Sequence, residues 1–527
     1  MNKVWTVKIA GPAGTGIKSA GLLLAKMLNE SGYYLQDYSE YPSLVRGGHN
    51  TYQVSFSVDK VYSVHKKLDV FISLVAGHWQ EHETEFKKET LVFADNDGKI
   101  NIPFKEMCTE LGGNIYANTI SLGLLAFLLN LDKDFAKKNI QEAFGCDSVN
   151  IKAFETGYTW AEKNCQKLSV DKGKNSKKMI IVDGNEAAGW GLYKAGLRMF
   201  VAYPMTPASG LLHFLAKNID EFKIKVIHPE DEIAVASIAS GASMAGARAA
   251  VGTSGGGFAL MTETISFNAQ AGLGVVYFLS QRPGPATGMP TWTSQGDLLF
   301  AVHSGHGEFP KIVLAAGDHE EAFELSKLAL NLANKFDIPV IMLSDKNLSE
   351  SSANTKDFNK EKEEKVESQK AIPGKGQKIK LYNSYEHDDE GFSVEDAKES
   401  KKATDIRLNK IKDILASMPK VNLYGSDKAK KIIIAWGSSK GAILEAFKEM
   451  INKEEFAFLQ IRGMWPLDPK IGQIINAFKE KILVENNGTA QLETLLKSQM
   501  TVEFTKKILK YDGRPFFPEE IKEALND

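Results

Sequence analysis

The chain has 527 residues, 43% of them hydrophobic and 25% charged, with a formal net charge of -2. That length suggests three domains with material for sizeable cores, and the near-zero charge gives no electrostatic reason to expect nucleic acid. Only three cysteines occur, Cys108, Cys146 and Cys165, which excludes a four-cysteine iron–sulfur or zinc site on this chain and makes a disulfide framework implausible.

Along the chain, apolar strand-like runs alternate with amphipathic helical ones, the pattern of α/β domains built on parallel sheets. The first domain, residues 1–170, opens with the strand VWTVKIA, the loop GPAGTG, the helix IKSAGLLLAKMLNESG and the strand YYLQDY. This opening has too short an apolar stretch for a signal peptide, and no apolar run is long enough to cross a bilayer. A cytoplasmic protein without membrane contact is expected. DVFISLVAG and TLVFADND continue as strands, TISLGLLAFLLNL and FAKKNIQEAFG as helices. The polar segment 171–178, DKGKNSKK, reads as a linker. A second, doubly wound domain spans 179–346, from MIIVDGNEAAGWGLYKAG through RMFVAYP, KIKVIHP, RAAVGTS, GVVYFLSQ and KIVLAAG to DIPVIMLSD. Residues 347–430 are charge-dense and poor in apolar periodicity, and are expected as a solvated connector. A third α/β unit, 431–527, sets the strands KIIIAWG, FAFLQIR and KILVENN around the helices SSKGAILEAFKEMI and IGQIINAFKE.

The loop Gly11-Pro12-Ala13-Gly14-Thr15-Gly16 lies between a strand and a helix. Glycines there let the backbone turn sharply and leave helix N–H groups for an anion. It is out of register for a Walker A loop, because Ile17 stands between Gly16 and Lys18. Two possibilities stay open. One is a dinucleotide fingerprint using Gly14 and Gly16 with Asp37 as the ribose-binding acid, although Ser19 replaces its third glycine; the other is a tight strand–helix turn. Downstream, YPSLVRGGHN places Arg46 beside two glycines. Arg46 and Lys18 could meet a phosphate or carboxylate, or be solvated surface charges.

In the second domain, Tyr203-Pro204-Met205-Thr206-Pro207-Ala208-Ser209 follows the strand RMFVA. Its prolines fix the backbone on either side of Thr206, which is expected to cap a helix starting at Pro207. Open α/β sheets bind ligands at such strand ends. His228-Pro229-Glu230-Asp231-Glu232 heads the helix IAVASIASGASMAGARAA. Acidic residues there complement the helix dipole, so capping and catalysis are both open. The loop Gly252 through Gly257 permits close approach of a neighbour. Gln281-Arg282-Pro283-Gly284-Pro285-Ala286-Thr287-Gly288 sets an arginine in a proline-stiffened loop, suited to forked capture of a carboxylate. His303 and His306 lie close together, but with no cysteine or third histidine nearby no metal site is expected.

GPAGTGIKSAG with VRGG, then YPMTPAS, EDE leading to GTSGGG, and QRPGPATG, in that order, resemble the 2-oxoacid:ferredoxin oxidoreductases, as a fused chain of their γ and α parts. Met205 and Ala208 stand where isoleucine and serine are commoner in that family. KIIIAWGSSKGAILEA, IRGMWPLDP and VENNGTAQLETLL resemble the transketolase C-terminal-like domain of the same α chains. The resemblance covers nearly everything outside the charged connector. It implies three α/β domains: a γ domain, a thiamine-diphosphate pyrimidine-type domain and the C-terminal-like unit. It also implies roles for particular residues. Glu232, with Glu230 as fallback, would stand beside the aminopyrimidine of thiamine diphosphate, which needs one carboxylate there. Thr253, Gly255 and Gly256 would face the cofactor, and Thr206, Tyr203 and Arg282 would hold the 2-oxoacid. The first domain would help close the site and handle coenzyme A, with Arg46 and Lys18 as candidate contacts.

The family's diphosphate–magnesium motif, G-D-G with a downstream asparagine, is absent, and so are the cluster cysteines. Both absences imply a β subunit that holds the diphosphate, Mg2+ and a 4Fe–4S cluster. The expected enzyme, active only with that subunit, oxidatively decarboxylates a 2-oxoacid, 2-oxoglutarate favoured. The acyl group goes to coenzyme A and the electrons to ferredoxin. Two other functions remain open: an NAD(P)-dependent oxidoreductase using the N-terminal glycine loop, and a non-catalytic assembly module of the same fold.

Overall fold

The computed structural model describes residues 2–43, 48–75, 77, 79–95, 99–145, 148–175, 179–366, 368, 370–375 and 381–526. The first strand, Trp5–Pro12, is buried on both faces over nearly its whole length, as a strand central to a covered sheet must be. It pairs parallel with Leu68–Ser73 and antiparallel with His49–Ser57. The sheet runs Ile100–Asn101, Phe86–Ala94, Leu68–Ser73, Trp5–Pro12, His49–Ser57, Tyr34–Glu40, Ser352–Thr355, Ile180–Asp183. It is therefore mixed where a parallel sheet was expected, because Tyr34–Glu40 folds back as a hairpin partner of His49–Ser57 and does not lie beside the first strand. This topology removes the dinucleotide possibility. Asp37 is buried, and its two carboxylate oxygens accept from the Tyr52 hydroxyl and the Ser352 amide, each at 2.5 Å. Buried and bonded on both oxygens, it is not presented to a ribose.

The apolar run TISLGLLAFLLNL becomes the helix Ala117–Leu128, buried at every position. It packs on the helix Ser148–Asn164 so closely that a Cβ on Gly123 would lie 2.0 Å from the Phe154 carbonyl oxygen, and one on Gly157 would lie 1.9 Å from that of Ile120. Reciprocal glycines are the only residues this crossing admits. No single helix among the described residues is long and apolar enough to cross a membrane.

The second sheet runs Gly463–Trp465, Ile312–Ala315, Val340–Asp345, Val275–Gln281, Ala249–Thr253, Met199–Val201, Lys225–Ile227. All its pairings are parallel except that of Gly463–Trp465, a strand of the third unit laid antiparallel on one edge. The third sheet runs Asn422–Gly425, Phe456–Ile461, Lys431–Trp436, Glu480–Glu485, Lys506–Leu509.

Residues 347–430 differ from the expected solvated connector. Ser352–Thr355 completes the first sheet, Glu386–His387 and Ser393–Val394 form a hairpin, and Ala397–Ser417 is a 21-residue helix capped by the Asp396 carboxylate. Ile414 is its buried anchor. Dense charge marks solvent exposure, and an exposed helix satisfies that as well as a loop does. The described part of 171–178 is tied to the first unit, with the Asn175 amide donating to the Gly32 carbonyl at 3.1 Å.

Charged contacts join the units. Lys440 of the third unit reaches Glu321 of the second at 2.8 Å. His65 of the first enters a group of three carboxylates from the third, Glu445, Glu449 and Glu519, at 3.8, 3.7 and 3.6 Å. Burial pulls the His65 pKa down, but the Glu445 and Glu519 carboxylates outweigh it and raise it to about 9. A histidine whose folded pKa is raised contributes stability that is complete below its unfolded value near 6.5 and is lost as pH rises through the folded one. Melting His65→Gln beside the parent chain should therefore show a deficit of roughly 2–3 kcal/mol near pH 6 that shrinks towards zero between about pH 7 and 9.5. A deficit independent of pH would mean that the contact is packing alone.

Candidate active site

Four neighbouring parallel strands, Lys225–Ile227, Met199–Val201, Ala249–Thr253 and Val275–Gln281, end side by side. Each runs into one of the motifs HPEDE, YPMTPAS, SGGG and RPGPATG. Strand ends followed by helix N-termini leave unpaired backbone groups, which is why ligands settle there.

The acidic triplet is divided between two tasks. Glu230 is exposed. Asp231 caps the helix Glu232–Met244, accepting from the Ala234 amide at 2.8 Å. Glu232 is 5% exposed, and its Oε1 is buried with no hydrogen-bond partner among the described residues. Leaving such an oxygen unpaired costs on the order of 1–3 kcal/mol or more. A donor carried by a ligand would remove that cost.

The helix Gly255–Ala271 begins at Gly255, so the glycines form its first turn instead of a free loop. A Cβ on Gly257 would stand 2.5 Å from Glu232 Oε1 and 2.2 Å from Thr253 Oγ1. The carboxylate's position thus dictates the glycine. Gly256 faces open space, and a Cβ on Gly255 would meet Asp297 Oδ2 at 2.8 Å. Thr253 is buried, with its hydroxyl 3.9 Å from Met205 Sδ, and the neighbouring Ser254 hydroxyl is buried without a partner.

Thr206 does not cap a helix. The following helix is Ser209–Lys217 with Ala208 at its cap. The Thr206 carbonyl, which a capping residue would give to the first helical turn, accepts instead from Arg282 Nη1 at 2.8 Å. Asn185 Nδ2 holds the next carbonyl, that of Pro207, at 3.0 Å. Tyr203 is 39% exposed and stands edge-on to His228, ring centroids 5.7 Å apart. Tyr203, Thr206, Glu232, Thr253, Gly255, Gly256 and Arg282 therefore all gather at one edge of the second sheet.

Arg282 is half-buried, and Asp297 faces it. Burial pushes the Asp297 carboxyl up to about 6 against the opposing pull of Arg282. The Asp297 amide donates to Gln281 Oε1 at 2.9 Å. Thr291, earlier on the same loop, has a buried hydroxyl with no partner. Neither residue was singled out from the sequence, and the available signal was the polar run TWTSQGD directly after the arginine motif.

The first unit contributes less directly. Arg46 lies outside the described residues. Lys18 is exposed, and burial raises the Asp37, Asp183 and Glu186 carboxyls against a smaller opposing pull from its charge. Gly14 and Gly16 take φ of 86° and 76° in a tight strand–helix turn. His303 is exposed, while the His306 amide donates to Ser266 at 2.8 Å. Between the first and third units lies a cavity of about 770 Å3 whose walls include His49, His82, Trp292, Lys510 and Arg514. Arg514 lies over the Trp292 ring at 3.5 Å. Trp292 belongs to the Thr291–Asp297 loop, so the cavity touches the loop that faces Arg282.

Two family models match the chain. Residues 190–404 match pyruvate flavodoxin/ferredoxin oxidoreductase, thiamine diphosphate-binding, and residues 6–160 match pyruvate ferredoxin/flavodoxin oxidoreductase. The 2-oxoacid:ferredoxin oxidoreductase subunit alpha of Saccharolobus solfataricus is 30% identical, over 98% of this chain and 96% of that protein. The 2-oxoglutarate synthase subunit KorA of Archaeoglobus fulgidus is 44% identical over 32% of this chain and 48% of its own length. The solved 2-oxoglutarate:ferredoxin oxidoreductase of Magnetococcus marinus, with 2-oxoglutarate, coenzyme A and succinyl-CoA bound, superposes with a TM-score of 0.92 at 26% identity, covering 100% of this chain and 99% of that one. With the clustered motifs and a full-length relative in agreement, the chain belongs to the 2-oxoacid:ferredoxin oxidoreductase family, as an alpha subunit of such a multi-subunit oxidoreductase.

Proposed function

We propose that the chain supplies the pyrimidine-side and substrate-side half of the active site, for which 2-oxoglutarate is the favoured substrate. The observation that carries this is the buried, unpartnered Oε1 of Glu232, set against Gly257 and Thr253 at the same sheet edge as Arg282. These residues fit the pyrimidine side of thiamine diphosphate. A carboxylate oxygen there lacks a donor, and small residues leave the approach to it open. When bound, thiamine diphosphate supplies the carbanion chemistry of decarboxylation.

Glu232 would hold a proton contact to the cofactor's aminopyrimidine. Arg282, already anchored to the Thr206 carbonyl, would turn its remaining N–H groups to the substrate's carboxylate, and the Thr206 hydroxyl and Tyr203 would line its path. Gly255, Gly256 and Thr253 would face the cofactor. Coenzyme A, bound in the Magnetococcus marinus enzyme, would take the acyl group here also. The cavity beside Trp292 is the space we assign to its approach.

The sequence has no diphosphate–magnesium motif and too few cysteines for a 4Fe–4S cluster. A β subunit would then carry the diphosphate, Mg2+ and the cluster that passes electrons to ferredoxin, in the cytoplasm. The test is a panel of 2-oxoacids with coenzyme A and ferredoxin, run on the co-purified complex and on this chain alone. The complex should turn over and prefer 2-oxoglutarate, and the isolated chain should be inert. Turnover by the isolated chain would overturn the division of the site, and indifference of the complex to 2-oxoglutarate would overturn the substrate.

A further inference from the structure

The third unit shares no strand end with the site, yet it grips the loop that faces Arg282. Gln295 is fully buried, and every one of its polar atoms is bonded to that unit. Its amide donates to the Asn486 carbonyl at 2.8 Å and its carbonyl accepts from Asn487 Nδ2 at 3.0 Å. Its Nε2 donates to the Trp436 carbonyl at 2.8 Å. Its Oε1 accepts from the Ser439 hydroxyl at 3.1 Å and the Asn486 amide at 2.8 Å. Gly437 is shaped around this side chain, since a Cβ there would come within 2.5 Å of Gln295 Nε2. The next residue is held the same way, Gln491 Nε2 donating to the Gly296 carbonyl at 2.7 Å.

The position then passes back to the site in two steps. Asp297 gives its amide to the side chain of Gln281, the residue before Arg282. Its carboxyl lies against Gly255 and within reach of the charge of Arg282. Gln281 is itself held by strand pairing and by the Ser344 carbonyl, so what a loop fixed at Gln295 sets is the place of the Asp297 carboxyl that acts on the arginine. A loop freed there moves that carboxyl.

We infer that Gln295 is a positioning residue for 2-oxoacid binding, and that through it the C-terminal unit sets the place of the carboxyl that acts on Arg282. This rests on the assignment of Arg282 to the substrate's carboxylate. Misplacing a binding group by a fraction of its reach weakens the contacts that depend on it and spares those that do not.

The test uses the complex with its partner subunit. Gln295→Met keeps the side chain's length and removes its amide bonds. Asn487→Ala keeps the Gln295 side chain and removes the contact to its carbonyl, together with the Asn487 bonds to the Thr489 amide and the Glu485 carboxyl, and serves if the first variant does not fold. Each should raise KM for the 2-oxoacid, Gln295→Met by about tenfold and Asn487→Ala by less, with kcat held within about twofold and KM for coenzyme A unchanged. The double variant should be no worse than Gln295→Met, because both act along one path. An unchanged 2-oxoacid KM in a folded variant overturns the inference, as does a matching rise in the coenzyme A KM, which would signal general loosening. Arg282→Lys is measured alongside. If it raises KM and Gln295→Met does not, this inference alone fails; if Arg282→Lys has no effect, the arginine assignment fails and this inference with it.

Discussion

Replacing Glu232 by glutamine in the assembled enzyme should lower turnover by about 10²–10⁴-fold, the contribution of one positioned proton contact. Glutamine has the same length and fits the space bounded by Gly257 and Thr253, so the substitution opens no cavity. It also removes a buried carboxyl group whose Oε1 has no partner among the described residues. Removing an unpaired buried carboxyl group relieves a desolvation cost. The melting temperature of the variant should therefore equal or exceed that of the parent while activity collapses. Such opposition between stability and activity is what a functional carboxylate produces, whereas a structural one would lose both. Near-normal turnover in Glu232→Gln would remove Glu232 from the chemistry and leave Glu230, exposed two residues earlier, as the remaining acid.

Arg282→Lys should raise KM for the 2-oxoacid by about tenfold or more, with a smaller change in kcat. The guanidinium spends one amino group on the Thr206 carbonyl at 2.8 Å and keeps the rest of its fork for a ligand. A lysine can keep the charge, but it cannot satisfy Thr206 and a two-pronged carboxylate from one plane. Steady-state kinetics over a range of 2-oxoacid concentrations checks this, and an unchanged KM would take Arg282 out of the substrate site. Asp297 facing the arginine sharpens the expectation. With the guanidinium withdrawn, its carboxyl would confront the substrate's negative charge with less to offset it.

The motifs at the strand ends were legible because each combines local signals: prolines bracketing Thr206, an acidic triplet before a helix, glycines after a strand, an arginine in a stiffened loop. Their gathering at one edge follows from parallel order alone, since parallel strands all deliver their carboxyl ends to the same side. The division of the triplet was not legible. Asp231 and Glu232 are both acids at a helix start, and only the direction of the chain entering the helix decides which one caps. The helical cap expected at Thr206 failed for a similar reason, as its carbonyl was claimed by an arginine 76 positions away. Asp37 looked like a ribose-binding acid until antiparallel pairing buried it against Tyr52.

Composition, periodicity and motif order by themselves determined the class of fold, the strand ends at which the motifs gather, and the absence from this chain of cluster cysteines and a diphosphate motif. These are properties of residue type and short spacing, and short spacing is what a chain states directly. The tertiary structure alone decided the mixed first sheet, the completion of that sheet by Ser352–Thr355, and the grip of the C-terminal unit on Gln295. Each of these joins residues far apart in the chain, and no local preference records which distant partner will satisfy a buried polar group.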